Sequence, residues 1–179
     1  MKCCSRMASC SRTLFTFRTR LGWIAVLGSG QTLSALTFGH ASADAAVNSL
    51  DTRWVAGAQY RRWNDALVAT LQAYARGVPE TFSDVEIDLD GYTEFQLKVI
   101  QACRRIPWGG TVSYGELALR AGFPGAARAV GTCMARNRIP LVIPCHRVLG
   151  ADGRLHGYSG LGGLTMKRRL LELEGASPQ

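Results

Sequence analysis

Lysine, histidine and long apolar runs are all scarce in this chain of 179 residues. Lysine stands only at Lys2, Lys98 and Lys167, and the 3 histidines are His40, His146 and His156. No stretch approaches the roughly 20 consecutive apolar residues of a membrane-spanning helix, so no membrane is expected as a partner. A His/Cys series at metal-ligand spacing is missing as well. Cys3, Cys4 and Cys10 crowd together with no downstream histidine to complete a site, and no metal is expected. The other cysteines, Cys103, Cys133 and Cys145, stand singly, unlike the even spacing of a disulfide scaffold. That usage fits a reducing, cytoplasmic compartment. There is no internal repeat.

What is abundant is arginine. It makes up 18 of the 21 basic residues, and its planar guanidinium suits phosphate oxygens and base edges. The formal net charge of +8 is unevenly placed. Residues 1–92 hold 9 basic and 8 acidic side chains (+1), whereas residues 93–179 hold 12 and 5 (+7). A basic C-terminal half points to a polyanion, most often nucleic acid, although a solvated basic surface carries the same charge. At 47% hydrophobic residues the chain reads as globular and long enough for one domain or two small ones.

Arginines before Trp23–Leu27, with Ala41-Ser42-Ala43 after it, imitate a secretory signal. The apolar run is short, however, and Gly28-Ser29-Gly30 interrupts it. A β-hairpin of Leu21–Leu27 and Thr32–Phe38 explains it more simply. Residues 1–12 are expected to be a disordered tail and residues 13–90 an α/β domain, a small sheet plus a helix over about Ala58–Arg76. Leu67, Val68, Leu71 and Tyr74 form that helix's apolar face. Beyond Pro79, in an acidic linker, Val85–Leu89 alternates like a half-buried strand.

Residues 91–179 read as a mostly α domain. Thr93 with Gln96, and Ser113 with Glu116, make capping boxes that open two helices. Pro107-Trp108-Gly109-Gly110 ends the first, and Gly122-Phe123-Pro124 turns the chain after the second. Pro124 starts a third helix running to about Arg136. Helix, short turn, helix is the helix-turn-helix pattern, and an ordinary helical hairpin shares its spacing. A last helix spans about Leu164 to Glu174, with Met166, Leu170 and Leu173 buried and Gly175 as its stop.

The richest run is Ile143-Pro144-Cys145-His146-Arg147-Val148. A cysteine beside an imidazole and a guanidinium has surroundings that can favour its thiolate, the nucleophilic form. The apolar stretch Ile139–Ile143 before it suggests that the sulfur stands where a strand gives way to a loop. This run resembles the active-site motif of the O6-alkylguanine-DNA alkyltransferases. The resemblance extends from Thr93 to Gly175 through Thr93-Glu94-Phe95-Gln96, Val112-Ser113-Tyr114-Gly115-Glu116-Leu117-Ala118, Ala126–Gly131, Arg136-Asn137, Gly157-Tyr158-Ser159-Gly160 and Leu170–Gly175. The N-terminal unit is similar, more faintly, to the family's RNase H-like domain.

The resemblance implies a DNA repair protein that moves the alkyl group of O6-methylguanine, and less well of O4-methylthymine, irreversibly onto Cys145. It implies no cofactor and a monomer acting on double-stranded DNA. His146 would take the thiol proton through a bridging water, since neighbours on a strand point to opposite sides. Glu174 would orient the imidazole, and Asn137 would brace the loop near Cys145. Arg128 would enter the minor groove and fill the space left by the flipped nucleotide, which Tyr114 would help to rotate. Gly115 and Arg136 belong with them on the DNA side. Met134, Pro140, Val148, Tyr158 and Ser159 would wall the substrate pocket, with Gly157–Gly163 as a Gly-rich lid. Two other classes fit less of the chain. A binding module without chemistry would lack Cys145, and a Cys–His hydrolase needs a facing base and an oxyanion hole.

Overall fold

Alternating side chains in Thr13–Thr19 (β1), Gly22–Ser29 (β2) and Thr32–His40 (β3) build an antiparallel meander. Residues 11–176 are described by this computed structural model. β2 is central and apolar on both faces, with Ile24, Ala25, Val26 and Leu27 fully buried. Ala25 and Leu27 face a small cluster with Leu14, Ala35, Ala46 and Leu50. Two short helices, Ala43–Asn48 (α1) and Thr52–Val55 (α2), cover that side, capped by Ser42 and Asp51. Ile24 and Val26 face the main core.

The sheet corrects the expected hairpin in two places. β1 adds a third strand ahead of it. The expected helix from Ala58 does not start there: Gln59–Tyr60 (β4) joins β1 in parallel, giving the order β3-β2-β1-β4. The helix Asp65–Ala75 (α3) begins only after Asn64, which adopts a left-handed φ of 48° and accepts the Leu67 N–H. Trp63 explains the irregular stretch before it. Its indole donates to the Gly30 carbonyl at 2.8 Å, and its ring lies where a Cβ on Gly28 would sit only 2.3 Å away. Val85–Leu89 is not a strand either. It touches β3 at the single parallel bridge Leu33–Ile87, and the chain then turns at Gly91, whose φ is 80°.

Both capping boxes form, at Thr93/Gln96 for Glu94–Arg104 (α4) and at Ser113/Glu116 for Tyr114–Arg120 (α5). The third helix begins later than Pro124 suggests, as Ala127–Ala135 (α6), because Gly125 at φ 82° cannot continue a helix. Ile139–Ile143 is a buried loop, not a strand, held by a Pro140–Ile143 bridge and by Leu141 at φ 72°. Periodicity cannot separate such an apolar run from a buried strand. A single 3₁₀ turn, Cys145–Arg147, follows. Val148–Leu149 (β6) then pairs in parallel with Val112–Ser113 (β5). Gly163–Leu173 (α7) closes the fold, burying Lys167, Leu170 and Leu171, with Met166 and Leu173 half-buried and Gly175 at φ 76° as its stop. The expected disordered tail, apart from residues 11 and 12, lies outside the described residues, as do Cys3, Cys4 and Cys10.

One buried cluster takes side chains from both halves of the chain, among them Phe17, Leu36 and Leu71 with Ile100, Leu117 and Ile143. Arg138 adds a polar join. Its guanidinium lies 4.6 Å from the Trp54 ring centre and 4.5 Å from that of Tyr92, and donates to the Tyr92 hydroxyl and the Asp88 carbonyl. Its own carbonyl accepts from Leu36 N–H on β3 at 2.9 Å. Arg138→Ala should therefore cost about 1–3 kcal/mol in urea unfolding. Arg138→Lys should recover only part of this, because an ammonium does not stack as a planar guanidinium does.

Candidate active site

Pro144 and the 3₁₀ turn set Cys145 at 6% exposure, with its backbone N–H bonded to the Ile143 carbonyl at 2.8 Å. Asn137 reaches it from the loop after α6. The Asn137 amide donates to Cys145 Sγ at 3.1 Å and to the Ile143 carbonyl at 2.8 Å, and its oxygen accepts from Ile139 N–H. Burial pushes the thiol above its ordinary value, and the Asn137 hydrogen bond and the Lys167 charge offset this only in part. The expectation of a thiolate-favouring setting is thus corrected. Arg147, the cation next along the chain, points away from the sulfur and is engaged elsewhere.

Its partner is Glu174, at the end of α7. Arg147 Nε and Nη2 grip the two carboxylate oxygens at 2.8 and 2.9 Å, while Nη1 donates to the Ile106 carbonyl at 2.6 Å. Tyr74 of α3 donates to Glu174 Oε1 at 2.6 Å, His146 Nε2 lies 2.8 Å from the same oxygen, and Gly109 N–H approaches Oε2 at 3.4 Å. Burial alone would raise the carboxyl, but the hydrogen bonds from His146, Arg147 and Tyr74 outweigh it and hold Glu174 at about 2. An ionised carboxylate can only accept, so His146 Nε2 carries the proton. Burial lowers the pKa of His146 despite Glu174, keeping the imidazole neutral near pH 7. Its Nδ1 is buried and has no hydrogen-bond partner among the described residues. The free lone pair therefore belongs to Nδ1.

Cys145 lines two cavities. One, of about 450 Å³, is walled by Tyr114, Met134, Tyr158 and Ser159, with Gly131 of α6 behind. Tyr114 is half-buried there and its hydroxyl reaches the His156 carbonyl at 3.5 Å. The other, of about 730 Å³, opens toward β3 and α2 past Pro140, Asn137, Arg136 and Ser159. Val148 lines neither: it is fully buried in β6 and offers its carbonyl to Lys167 Nζ at 2.6 Å. Gly115 lies in the first turn of α5, with the Ser113 hydroxyl as the nearest atom to an added Cβ at 3.8 Å. Arg128 is exposed on the first turn of α6 and makes no salt bridge among the described residues. Arg136 is exposed at that helix's C-terminal end.

Two participants escaped the sequence reading. Tyr74 sits at an apolar helical spacing and looks like core. Lys167 looks like a solvated helix residue, yet it is fully buried, donating to the Val148 and His156 carbonyls with its cation 5.8 Å from the Tyr114 ring centre. Burial pulls its pKa down to about 8. Nothing local marks either residue, since both acquire their partners from distant segments.

Fold and site together define a cysteine-dependent α/β protein with a buried thiol, a neutral imidazole and an ionised carboxylate beside a pair of short helices. Residues 94–176 match the family described as 6-O-methylguanine DNA methyltransferase, DNA binding domain. Methylated-DNA–protein-cysteine methyltransferases of Mycobacterium leprae and Methanosarcina acetivorans are 54% and 48% identical over 107 and 106 residues, 60% and 59% of this chain. Those stretches span 62% and 65% of the relatives themselves, just under two thirds of their length. The Mycobacterium tuberculosis O6-methylguanine methyltransferase structure matches with a TM-score of 0.77 at 38% identity, over 93% of this chain and 95% of that one. Mycobacterium tuberculosis OGT in complex with DNA gives 0.75 at 40%, over 90% and 92%. The chain belongs to the O6-methylguanine-DNA methyltransferase family.

The Glu174 network predicts a pH dependence. A carboxyl held at about 2 in the fold, against an ordinary 4.5, contributes stability that is complete above pH 4.5 and lost as the pH falls toward 2. Urea midpoints of the parent and of Glu174→Gln should differ widely at neutral pH, because the substitution leaves Arg147 buried without its counter-ion. The gap should narrow between about pH 5 and pH 3.

Proposed function

We propose that this chain repairs DNA by transferring the alkyl group of O6-methylguanine, and less well of O4-methylthymine, irreversibly to Cys145. One observation carries the reading: the thiol opens on a cavity walled by Tyr114 and Tyr158 while the neighbouring imidazole keeps an unpartnered, buried Nδ1. His146 Nδ1 takes the thiol proton through a bridging water. Glu174 and Tyr74 hold the ring and stabilise the imidazolium. The Cys145 Sγ lone pair then forms the S–C bond as the C–O6 bond breaks, and its electron pair passes to the purine. The proton released from the thiol returns to the purine, which leaves as neutral guanine. The thioether has no facile leaving path, so each molecule acts once.

Double-stranded DNA is the partner in this reading, bound by α5 and α6 acting as a helix-turn-helix from the minor groove. Arg128, exposed and free of salt bridges among the described residues, suits the gap left by the flipped nucleotide. Tyr114 rotates the target, with Gly115 and Arg136 beside it. Met134, Pro140, Tyr158 and Ser159 enclose the base and its substituent, and Asn137 holds the loop at Cys145. Val148 stands outside this pocket, and its carbonyl accepts the hydrogen bond that holds the Lys167 ammonium. Residues 91–179 thus hold the chemistry and the DNA face, and the RNase H-like unit 13–90 supports them. The protein works as a cytoplasmic monomer. Among the described residues no helix is long and apolar enough to cross a membrane.

Incubation with duplex DNA carrying O6-methylguanine should add one methyl group to Cys145, detected by mass spectrometry of its tryptic peptide. A lesion bound to saturation with Cys145 unmodified would refute the transfer. Arg128→Ala should slow repair of duplex DNA far more than reaction with free O6-benzylguanine, and equal losses would remove its flipping role. Binding should weaken linearly in log–log form with salt as phosphate contacts release counterions.

A further inference from the structure

Asn137 meets the thiol from a stretch that no sheet holds. Residues 139–143 form a buried loop with Leu141 at φ 72°. Its internal ties are the bond from Ile143 N–H to the Ile139 carbonyl at 2.9 Å and the Pro140–Ile143 bridge. Such a loop keeps an amide on a sulfur only if something rigid fixes its start. The residue after Asn137 supplies that anchor, because the hydrogen-bond and ring partners of Arg138 all lie within residues 36–92.

The Arg138 carbonyl accepts from Leu36 N–H of β3 at 2.9 Å. Its Nε donates to the Tyr92 hydroxyl at 2.9 Å, and its Nη2 to the Asp88 carbonyl at 3.2 Å. The rings of Trp54, on α2, and of Tyr92 cover the guanidinium at 4.6 and 4.5 Å. Asp88 is itself fixed. Its N–H donates to the Leu33 carbonyl at 2.8 Å, and Leu33 N–H donates to the Glu86 carbonyl at 2.9 Å. Arg138 is thus tied to β3 twice, directly by its backbone and through Asp88 by its side chain. Asn137, one peptide unit away, donates to Cys145 Sγ at 3.1 Å. Neighbouring Cα atoms are held about 3.8 Å apart by a planar peptide, so a displacement of Arg138 passes to Asn137.

We propose that Arg138 is a positioning residue for alkyl transfer, holding the Asn137 amide on Cys145 from the N-terminal half. The inference rests on the alkyl-transfer reading and adds a residue to its machinery. In-line displacement needs the sulfur aimed at the reacting carbon, and a misplacement of about 1 Å can cost on the order of 100-fold in rate. Burial raises the thiol and the Asn137 hydrogen bond opposes it, so loosening that bond makes the sulfur harder to ionise. A guanidinium suits the task because its plane stacks on rings while its edge donates. Lysine keeps the charge but has neither the plane nor the fork.

The test is single-turnover methyl transfer from O6-methylguanine duplex, at a temperature where circular dichroism shows each variant folded. Arg138→Met should lower the rate at saturating DNA about tenfold, while half-saturation moves less than about twofold. Arg138→Lys should fall between it and the parent, as should Tyr92→Phe, which loses the hydroxyl and keeps the ring. Should Arg138→Met not fold, these two milder variants carry the comparison. In an Asn137→Ala background Arg138→Met should slow transfer no further, because one residue acts through the other. Capture of Cys145 by iodoacetamide should shift to higher pH in the same order as the rates fall. Lys167, Cys103, Tyr114, Tyr158 and His146, the other ionisable groups around the thiol, are unchanged in these variants. A parent rate in the folded variants, an unmoved pH profile or an additive loss on Asn137→Ala overturns the proposal. A loss of affinity alone also overturns it and makes Arg138 a phosphate contact. If the parent never methylates Cys145, the repair reading falls, and the iodoacetamide profile still decides whether Arg138 holds Asn137 on the thiol.

Discussion

The Glu174 carboxylate is the interaction on which the rest depends. Its five close donors come from α3, from the turn after α4 and from the 3₁₀ turn, as Tyr74, Gly109, His146 and two nitrogens of Arg147. No local preference explains a carboxylate there, since a negative charge at a helix C-terminus opposes the dipole. A buried ion is tolerated only when its partners nearly replace its water, and here both oxygens are engaged. The same carboxylate fixes the His146 tautomer and neutralises Arg147. Stability and chemistry are therefore joined in one group, and disturbing it disturbs both.

A consequence follows for the thiol. With Arg147 turned to Glu174, little positive charge faces Cys145 except Lys167, and burial dominates. The resting sulfur is protonated and poorly reactive toward oxidants, which attack the thiolate. In the proposed function a one-use acceptor gains from this, because a thiol oxidised before it meets a lesion is lost. The His146 imidazole stays neutral beside it, and in that proposal the thiolate is needed only when a substrate has filled the site. This differs from a turnover enzyme whose cysteine rests as a thiolate ion pair.

Local signals carried much of the C-terminal half. Capping boxes at Thr93 and Ser113 and the glycine stop at Gly175 depend on neighbours within a few residues, and each forms. Failures came where distant contacts decide. Ile139–Ile143 reads as a strand by composition, but its apolar side chains are buried as a loop with Leu141 at positive φ. The helix start slipped from Ala58 to Asp65 because β1 recruits Gln59–Tyr60 as an edge. His146 and Cys145 lie on a tight turn, so the argument from alternating strand faces does not apply to them, and the separation of base from thiol rests on Nε2 being tied to Glu174.

In the sequence the N-terminal half carries no catalytic motif. In the fold it supplies Tyr74 to the buried carboxylate, two hydrogen-bonding segments to the loop at Arg138, and a wall of the larger cavity at Cys145. Asn137, whose amide touches the sulfur, is the immediate neighbour of the arginine held by Trp54 and Tyr92. A shift of that arginine moves the backbone of Asn137 with it, so the geometry at the thiol depends on residues more than eighty positions upstream. Such coupling requires one continuous core, and the shared buried cluster provides it. The division of the chain by charge, with +1 before residue 93 and +7 after it, marks the face assigned to DNA in the proposed function. It does not mark where the site ends.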